Sequence, residues 1–253
     1  MIIITKREAI FKIKQIWFSD SIFDVKDCDV VIFLNCKKKF EVKGFRCQES
    51  LTSIIDLSLS LDEIWRRMDK KSCRYAIKRA EREGVIIKIN EGFEKFYKIY
   101  EAFCKLKGLK HLLEKKEILQ LYGTLFTAEI NGEILVGHVY LEDPEAKIMR
   151  YWKAASIRPW VDKNKASLIG NVSHLIHWEA IKYAKSKGFK EFDMGGLFGT
   201  KESGGYGSSI DAFKESFGGE KVVRYSYEKV YNKLYSVARI AYRRINRLRL
   251  FSR

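Results

Sequence analysis

The residues best suited to chemistry lie in one stretch, from Glu191 to Glu220, which reads EFDMGGLFGTKESGGYGSSIDAFKESFGGE. An apolar strand ends near Asp193, a loop rich in glycine and serine follows, and aromatic residues flank Lys214. Glycines free the backbone to adopt positive φ and to approach a ligand closely. A loop of this length is usually functional or disordered, and the aromatic residues that close it favour a functional loop. A mobile surface loop followed by a helical turn is the alternative interpretation.

Two separated motifs resemble one family. The first is D-x-G-G from Asp193 to Gly196, followed by a variable loop and by F-K-x-x-F-G-G from Phe213 to Gly219. The second lies in residues 54–85 and contains, in the expected order, Arg74, Lys78, Ala80 and Gly84. Both are similar to the Fem family of peptidoglycan interpeptide-bridge aminoacyltransferases, which are built from acetyltransferase-like (GNAT) domains. The resemblance therefore implies a GNAT-like fold and transfer of an aminoacyl group.

The resemblance also implies roles for residues of the first motif. Lys214 would stabilise the negative charge that develops on the ester carbonyl oxygen, and Phe213 would shape the pocket. Alternatively, Lys214 is a solvated helix lysine. The proton of the attacking ammonium would pass to Asp193, Asp211 or Glu215, or to a group on the substrate. We assign substrate binding to Gly195, Gly196, Tyr206, Asp211, Arg150, Tyr151 and Trp152, although aromatic residues such as Tyr151, Trp152 and Trp160 more often serve core or rim packing.

The charge balance points to an anionic partner. The chain carries 48 lysines and arginines against 32 acidic residues, a formal charge of +16. RNA, an anionic membrane and diphosphate-bearing substrates all fit this excess, and a basic surface without a specific partner remains an alternative. We expect a helix from Leu61, capped by Ser60, to about Glu83, with cations along one face. The residues assigned to tRNA or phosphate binding are Arg74, Lys78, Arg79, Arg158, Lys163 and Lys165.

The surrounding pattern predicts an α/β protein with a GNAT-like mixed sheet flanked by helices. Residues 1–57 form a reduced N-terminal β-rich module, in which IKQIWF, DVVIFLN, FEVKGFR and SIIDL are expected strands. Residues 58–227 form the transferase core: a strand VIIKI, helices over 92–107 and 114–122, a meander over 125–156, a helix over 165–187 and two final strands. The Asn131-Gly132 pair predicts the first turn of the meander. Full-length relatives carry two complete GNAT-like domains, so the first module resembles a shortened version of one.

The segment that precedes the long helix bears on the acyl donor. Acetyl-coenzyme A users of the GNAT superfamily have a Q/R-x-x-G-x-G/A loop there, whose amides bind pyrophosphate. This chain has SIRPWVDKNKASLIG, without a glycine before Gly170, and Pro159 lacks an N–H group to donate. Members of the Fem family also lack the loop because their donor is an aminoacyl-tRNA. We therefore expect no bound cofactor.

The last segment, residues 228–253, is predicted to be a basic amphipathic helix. Its apolar residues recur at helical spacing: Leu234, Val237, Ile240, Ala241, Ile245 and Leu248. It would lie on anionic lipid, contact the tRNA backbone, or pack on the body with its cations outward, and we favour packing with an electrostatic role.

Metal and disulfide chemistry are disfavoured. His174 and His177 lie three residues apart without an H-E-x-x-H pattern, so we expect no metal. Five cysteines without a C-x-x-C pair indicate reduced thiols.

No apolar run approaches the length of a spanning helix or resembles a signal peptide. This predicts a cytoplasmic protein, with peripheral contact at the inner membrane face left open.

The predicted reaction moves an amino acid from aminoacyl-tRNA to an amine of a nucleotide- or lipid-linked cell-wall peptide precursor. The first alternative is an N-acyltransferase that uses an acyl thioester to modify a polysaccharide, lipid or peptide. The second is a degenerate core that only binds RNA or anionic lipid.

Overall fold

The computed structural model describes residues 1–109, 113–199 and 206–240, with the backbone but not the side chains at 206–208. Two compact units divide these residues. One contains residues 1–50 and the described chain from residue 223, and the other contains Leu51–Val222. The predicted domain limits at residues 57 and 227 stay a prediction.

Strands and helices follow in an order close to the predicted one. The strands are β1 (Ile2–Glu8), β2 (Phe11–Trp17), β3 (Val30–Cys36), β4 (Arg46–Asp56), β5 (Ile86–Ile89), β6 (Gly123–Ile130), β7 (Glu133–Asp143), β8 (Ile148–Ser156), β9 (Glu191–Leu197) and β10 (Glu220–Val230). The helices are α1 (Leu61–Arg67), α2 (Tyr75–Arg82), α3 (Phe93–Leu106), α4 (Lys116–Tyr122), α5 (Lys163–Ser186), α6 (Tyr206–Glu215) and α7, described over residues 233–240.

The first unit is a small sheet in the order β1-β2-β3-β10. Antiparallel pairs join β1 to β2 and β3 to β10, and a parallel pair joins β2 to β3. The inward-facing residues of these strands form its core, since successive side chains of a strand point to opposite faces. The buried members of that core are Ile16, Val31, Phe33, Cys36 and Tyr227.

The strand predicted for FEVKGFR is wrong, because residues 40–45 form a loop. The amide of Phe40 donates to the hydroxyl of Tyr227 at 2.6 Å instead of joining a ladder. Gly44 adopts a positive φ of 85°, which turns the chain before β4. Phe40 and Phe45 pack against the core of the first unit, so their apolar character served packing rather than a strand.

The second unit contains a mixed sheet in the order β4-β9-β8-β7-β6-β5. Neighbouring strands are antiparallel except for the parallel pair β8 and β9. The predicted meander is confirmed as β6, β7 and β8. Asn131 and Gly132 both take positive φ, 50° and 79°, as a tight hairpin turn requires.

Helices α3 and α5 pack on this sheet. Helical spacing predicts an apolar face of α5 formed by Ile169, Val172, Ile176, Ala180, Tyr183 and Ala184. All of these are buried except Tyr183, which is half-buried. Helix α3 approaches the sheet closely at Gly137, where a Cβ atom would lie 2.2 Å from the ring of Phe96. Glycine is thus the residue that lets α3 contact β7 at this point.

The single helix predicted from Leu61 to Glu83 is wrong, because the chain breaks after α1. Ser60 does cap α1, in a reciprocal capping box with Glu63. Met68, however, has an extended ψ of 142°, and a π-helical turn over Lys70–Arg74 leads into α2. The side chain of Asp69 accepts the amide of Ser72 at 2.7 Å, which gives the backbone a local alternative to a continuous helix.

The start of the predicted C-terminal helix also differs, because residues 228–230 belong to β10 and α7 begins at residue 233. Leu234, Val237 and Ile240 are exposed, so the preferred packing of this apolar stripe on the body is wrong for the described part of the helix. Residues 241–253 lie outside the described residues.

Two properties concern the described chain as a whole. The cysteines are free thiols, of which Cys36, Cys73 and Cys104 are buried. No helix in the described ranges is long and apolar enough to span a membrane.

Candidate active site

A cleft opens in the second unit where β8 and β9 separate. These strands pair only through residues 148–150 and 191–193. Beyond that point β8 follows β7 as far as Ser156, whereas β9 follows β4 as far as Leu197. The divergence leaves a cleft of about 560 Å³, a size suited to a small-molecule group.

Four residues predicted from the sequence line this cleft, namely Tyr151, Arg158, Phe213 and Lys214. They come from three elements: strand β8, the 3-10 turn that follows it, and helix α6, which lies much further along the chain. Trp152 lies elsewhere, packed with the core cluster of α3 that contains Phe96. Its predicted contact with substrate therefore falls outside the cleft. Tyr206 belongs to the side chains that are not described.

Asp193 lies at the point where the two strands separate and is fully buried. One carboxylate oxygen accepts the hydroxyl of Thr52 and, at 2.8 Å, the amide of Gly195. The other forms an ion pair with Arg150. A buried charge needs such partners, because burial without them is costly. Asp193 thus holds Arg150 and the first glycine of the loop in place.

Lys214 is the main cation of the cleft. It is 8% exposed, and its ammonium donates to the carbonyl oxygen of Gly196 at 2.5 Å. Burial, helped by the nearby charge of Arg150, lowers the pKa of Lys214 to about 8, although Asp193 and Asp211 act in the opposite direction. The residue is therefore mostly protonated at neutral pH but holds its proton less firmly than an ordinary lysine.

Two glycines allow this placement of Lys214. Gly195 has a φ of 85°, and a Cβ atom there would lie 3.6 Å from the Lys214 ammonium and 3.5 Å from the carbonyl oxygen of Tyr151. The left-handed backbone is strained for other residue types. The left-handed conformation of Gly195 places the carbonyl group of Gly196 within reach of Lys214, so the D-x-G-G motif positions the cation.

Asp211 ties helix α6 to the end of β9. Its two carboxylate oxygens accept the amides of Phe198 and Gly199, each at 3.0 Å. It does not line the cleft. Asp211 thus anchors the beginning of the glycine-rich loop through the backbone.

A buried cluster of histidines and aromatic residues forms the floor behind Lys214. The Tyr140 hydroxyl lies 2.9 Å from Nδ1 of His177 and 3.3 Å from Nδ1 of His138. Burial lowers the pKa of His138 to about 3 and that of His177 well below its ordinary value. Both rings are therefore neutral at physiological pH. The His177 ring also contacts Tyr151 and Phe213, with centroids 4.6 and 5.6 Å apart.

The sequence pattern missed this cluster. His177 and Tyr140 are far apart in the chain, and His177 was considered from the sequence only as a metal ligand together with His174. Nothing in the spacing indicated that the polar atoms of the two residues would meet.

The N-terminus of α5 follows the 3-10 turn that carries Arg158, and two of its amides are occupied. Asp162 caps the helix and accepts the amides of Asn164 and Lys165 at 2.8 and 3.1 Å. Arg158 and Lys163 are exposed beside this cap, whereas Lys165 forms an ion pair with Glu133 at 2.6 Å. A carboxylate therefore sits where helix amides would otherwise attract a phosphate.

The other predicted phosphate ligands lie on or next to α2. Lys78 and Arg79 are exposed, and Arg74 is half-buried. The Lys78 ammonium lies 6.0 Å from the ring of Trp65. Arg79 and Lys165 line a second, smaller cleft between α2 and α5, apart from the cleft that contains Lys214. The sequence-predicted cations thus border two separate surfaces.

No group of three metal-ligating side chains occurs in the part of the chain that the structure describes. Nδ1 of His174 instead lies 3.0 Å from the carbonyl oxygen of Gly170, and its ring stacks on Phe217.

Comparison with known proteins identifies the fold but not a family. No protein-family model matches the chain, and no curated protein matches it in sequence. Among solved structures, FemX aligns with a TM-score of 0.62 at 13% identity, over 93% of this chain and 85% of FemX. The C-terminal domain of a protein assigned as a lysylphosphatidylglycerol synthetase from Agrobacterium fabrum gives 0.58 at 11% identity, over 94% and 83% of the two chains. L-PGS from Bacillus licheniformis gives 0.54 at 14% identity, over 79% and 68%.

These similarities establish a shared fold. They agree with the fold class predicted from the sequence, a GNAT-like mixed sheet flanked by helices with a β-rich N-terminal part.

Proposed function

We propose that this protein transfers an aminoacyl group from an aminoacyl-tRNA to an amine of a cell-wall peptide precursor. The observation that carries the proposal is the buried Lys214 that lines the cleft and donates to the carbonyl oxygen of Gly196. The fold shared with FemX and with lysylphosphatidylglycerol synthetases supports the same class of reaction, as does the motif resemblance to the Fem family.

In this reaction the amine nitrogen attacks the ester carbonyl carbon. A C–N bond forms, negative charge collects on the carbonyl oxygen, and the C–O bond to the tRNA ribose then breaks. An ammonium has three N–H donors, so Lys214 can keep its bond to Gly196 and still donate to that oxygen. Because the cleft is partly closed to water, the cation stabilises the developing charge more strongly than it would in solvent.

Proton removal from the attacking amine is assigned to the substrate rather than to a carboxylate of the protein. Asp193 is bound by three partners, Asp211 accepts two backbone amides, and Glu215 forms an ion pair with Lys221 at 2.8 Å. The ribose oxygen that leaves with the tRNA takes up one proton, which balances the proton lost by the amine. The carboxylates serve to position Arg150, Lys214 and the loop.

The cap at the start of α5 favours an ester donor over a coenzyme A thioester. A pyrophosphate at this helix end would meet the carboxylate of Asp162 and find the amides of Asn164 and Lys165 already bonded. An aminoacyl-tRNA needs no such pocket, because exposed cations can contact its phosphates along a wider surface. We assign that contact to Arg158 at the cleft, to Lys163 beside the cap of α5, and to Lys78 and Arg79 on α2.

The test is transfer of labelled amino acids from a mixed charged-tRNA pool to nucleotide- and lipid-linked precursors, beside an acetyl-coenzyme A reaction. We expect a product that disappears when ribonuclease is added first. A product formed only from the thioester would refute aminoacyl-tRNA as the donor. RNA binding without any product would refute aminoacyl transfer as the activity.

Matched lysine variants test the site. Lys214→Met should abolish transfer while tRNA binding persists, because the cation acts on the transition state. Lys190→Met, which removes an exposed lysine of the same unit, should leave the rate unchanged. Equal rates for Lys214→Met and wild type would remove Lys214 from the mechanism.

A further inference from the structure

Helix α7 is attached to the first unit by a polar and aromatic face. The ring of Tyr235 meets that of Phe11 edge to face, with centroids 5.2 Å apart. Four residues later, Arg239 forms an ion pair with Glu228 of β10 at 2.7 Å. Residues four apart lie on the same side of a helix, so this side faces the sheet.

The opposite side of α7 is apolar and faces away from the sheet of the first unit. Leu234, Val237 and Ile240 are 67%, 64% and 54% exposed. Their spacing of three residues places them on one side of the helix, turned from the side that carries Tyr235 and Arg239. A row of exposed aliphatic side chains next to cations marks an interaction surface rather than ordinary surface scatter.

The sequence continues the same pattern beyond the described residues. Ala241, Ile245 and Leu248 follow at helical spacing, and the segment from residue 229 onward contains eight lysines and arginines without an acidic residue. Its nearest acidic neighbour, Glu228, is already paired with Arg239. An amphipathic segment with this composition combines buried aliphatic side chains with attraction to negative charge.

We propose that α7 docks the protein on the surface of an anionic lipid bilayer, with Leu234, Val237 and Ile240 inserted between the headgroups and the exposed Lys233 next to Leu234 contacting lipid phosphates. A nucleic acid fits less well, because its backbone offers phosphates but no apolar surface for three exposed aliphatic residues. A second copy of the helix fits less well too, since the segment keeps an excess of positive charge beyond the ion pairs of Arg239 with Glu228 and Lys229 with Asp24, and two copies would repel each other. The docking is a binding property and does not depend on the transfer reaction.

The test compares wild type with Leu234→Ser/Val237→Ser/Ile240→Ser in co-sedimentation with vesicles. The vesicles contain phosphatidylcholine alone or with about one third phosphatidylglycerol. The control variant is Ile86→Ser/Leu106→Ser/Leu121→Ser, which removes three apolar residues of comparable exposure from the second unit. Because all six positions are exposed, neither variant should unfold, and circular dichroism checks this.

We expect wild type and the control variant to bind the anionic vesicles, and the α7 variant to lose about tenfold or more of this binding. Affinity for duplex RNA should be the same for all three proteins. Equal vesicle binding by the α7 variant, absence of binding by wild type, or a wild-type dimer that the α7 variant abolishes would each overturn the proposal. Transfer to a water-soluble, nucleotide-linked precursor should be unchanged in the α7 variant, which separates failure of docking from failure of the proposed reaction.

Discussion

Replacing Lys214 with methionine should make the protein more stable at neutral pH while it removes activity. Methionine has a similar length and can occupy the same buried space, but it carries no charge. A buried ammonium costs free energy that the folded protein bears only because the site needs the cation. A lysine with a structural role would give the opposite result.

The size of the effect follows from the pKa of Lys214, which burial lowers from 10.5 to about 8. Each unit of pKa corresponds to about 1.4 kcal/mol, so the protonated lysine destabilises the fold by about 3 kcal/mol. The methionine variant also loses the hydrogen bond to Gly196, which lowers its stability by about 1 kcal/mol and offsets part of the gain. The variant should therefore unfold with a free energy about 2 kcal/mol larger than that of wild type at pH 7.

The pH dependence of the stability difference between Lys214→Met and wild type tests the direction of this effect independently. Below pH 8 the lysine is protonated in both the folded and the unfolded protein, so the folded state bears the full penalty. Between pH 8 and about 10.5 the folded protein releases this proton while the unfolded chain retains it, and the penalty fades. The advantage of Lys214→Met should thus shrink steadily across this range and vanish near its upper end.

Urea denaturation of wild type and Lys214→Met at several pH values from 7 to 10.5 measures this difference. Lys190→Met, which removes an exposed lysine beyond the end of α5, is the control and should show no comparable pH-dependent gain. A less stable Lys214→Met protein at pH 7, or a difference that stays constant with pH, would refute the assignment of Lys214 as a strained, buried cation.

Three further substitutions test how the site is held. Asp162→Ala removes the cap of α5 and should lower the free energy of unfolding by about 1 kcal/mol, measured by urea denaturation. Gly218→Ala should cost more than about 2 kcal/mol in the same measurement, because φ is 73° and a Cβ atom would lie 2.3 Å from the carbonyl oxygen of Arg67. Gly195→Ala should lower the transfer rate more than it lowers tRNA affinity, since strain at this position displaces the ammonium of Lys214; unchanged kinetics would contradict the positioning role of the motif.

The sequence predicted elements well where local signals and packing agree. The Asn131-Gly132 turn, the meander around it and the buried face of α5 all appear as expected, because turn chemistry and hydrophobic periodicity specify them without help from distant residues. The break after Met68 was missed, since the intervening residues are compatible with a helix. The structure ends α1 there through a local cap at Asp69 and a contact of its amide with Ser216, which lies far along the chain.

The candidate site was predicted only in part for a similar reason. Lys214, Phe213 and Tyr151 do share the cleft, but Asp193 and Asp211 prove to be bound to backbone and side-chain partners that spacing cannot reveal. Trp152 was assigned to the site together with Tyr151, yet successive side chains of a strand point to opposite faces. Contacts across the fold, rather than composition, decide which of these residues meets a substrate.

The buried pair of Arg150 and Asp193 has a consequence for how the protein can change over evolutionary time. Removing one partner leaves an unneutralised charge in the interior, which costs about 3–5 kcal/mol, whereas replacing both with apolar residues can be nearly neutral. Single substitutions at either position should therefore be purged, and descendants should carry both charges or neither. Since these residues mark the point where β8 and β9 part, a lineage that loses the pair should lose the present shape of the cleft with it.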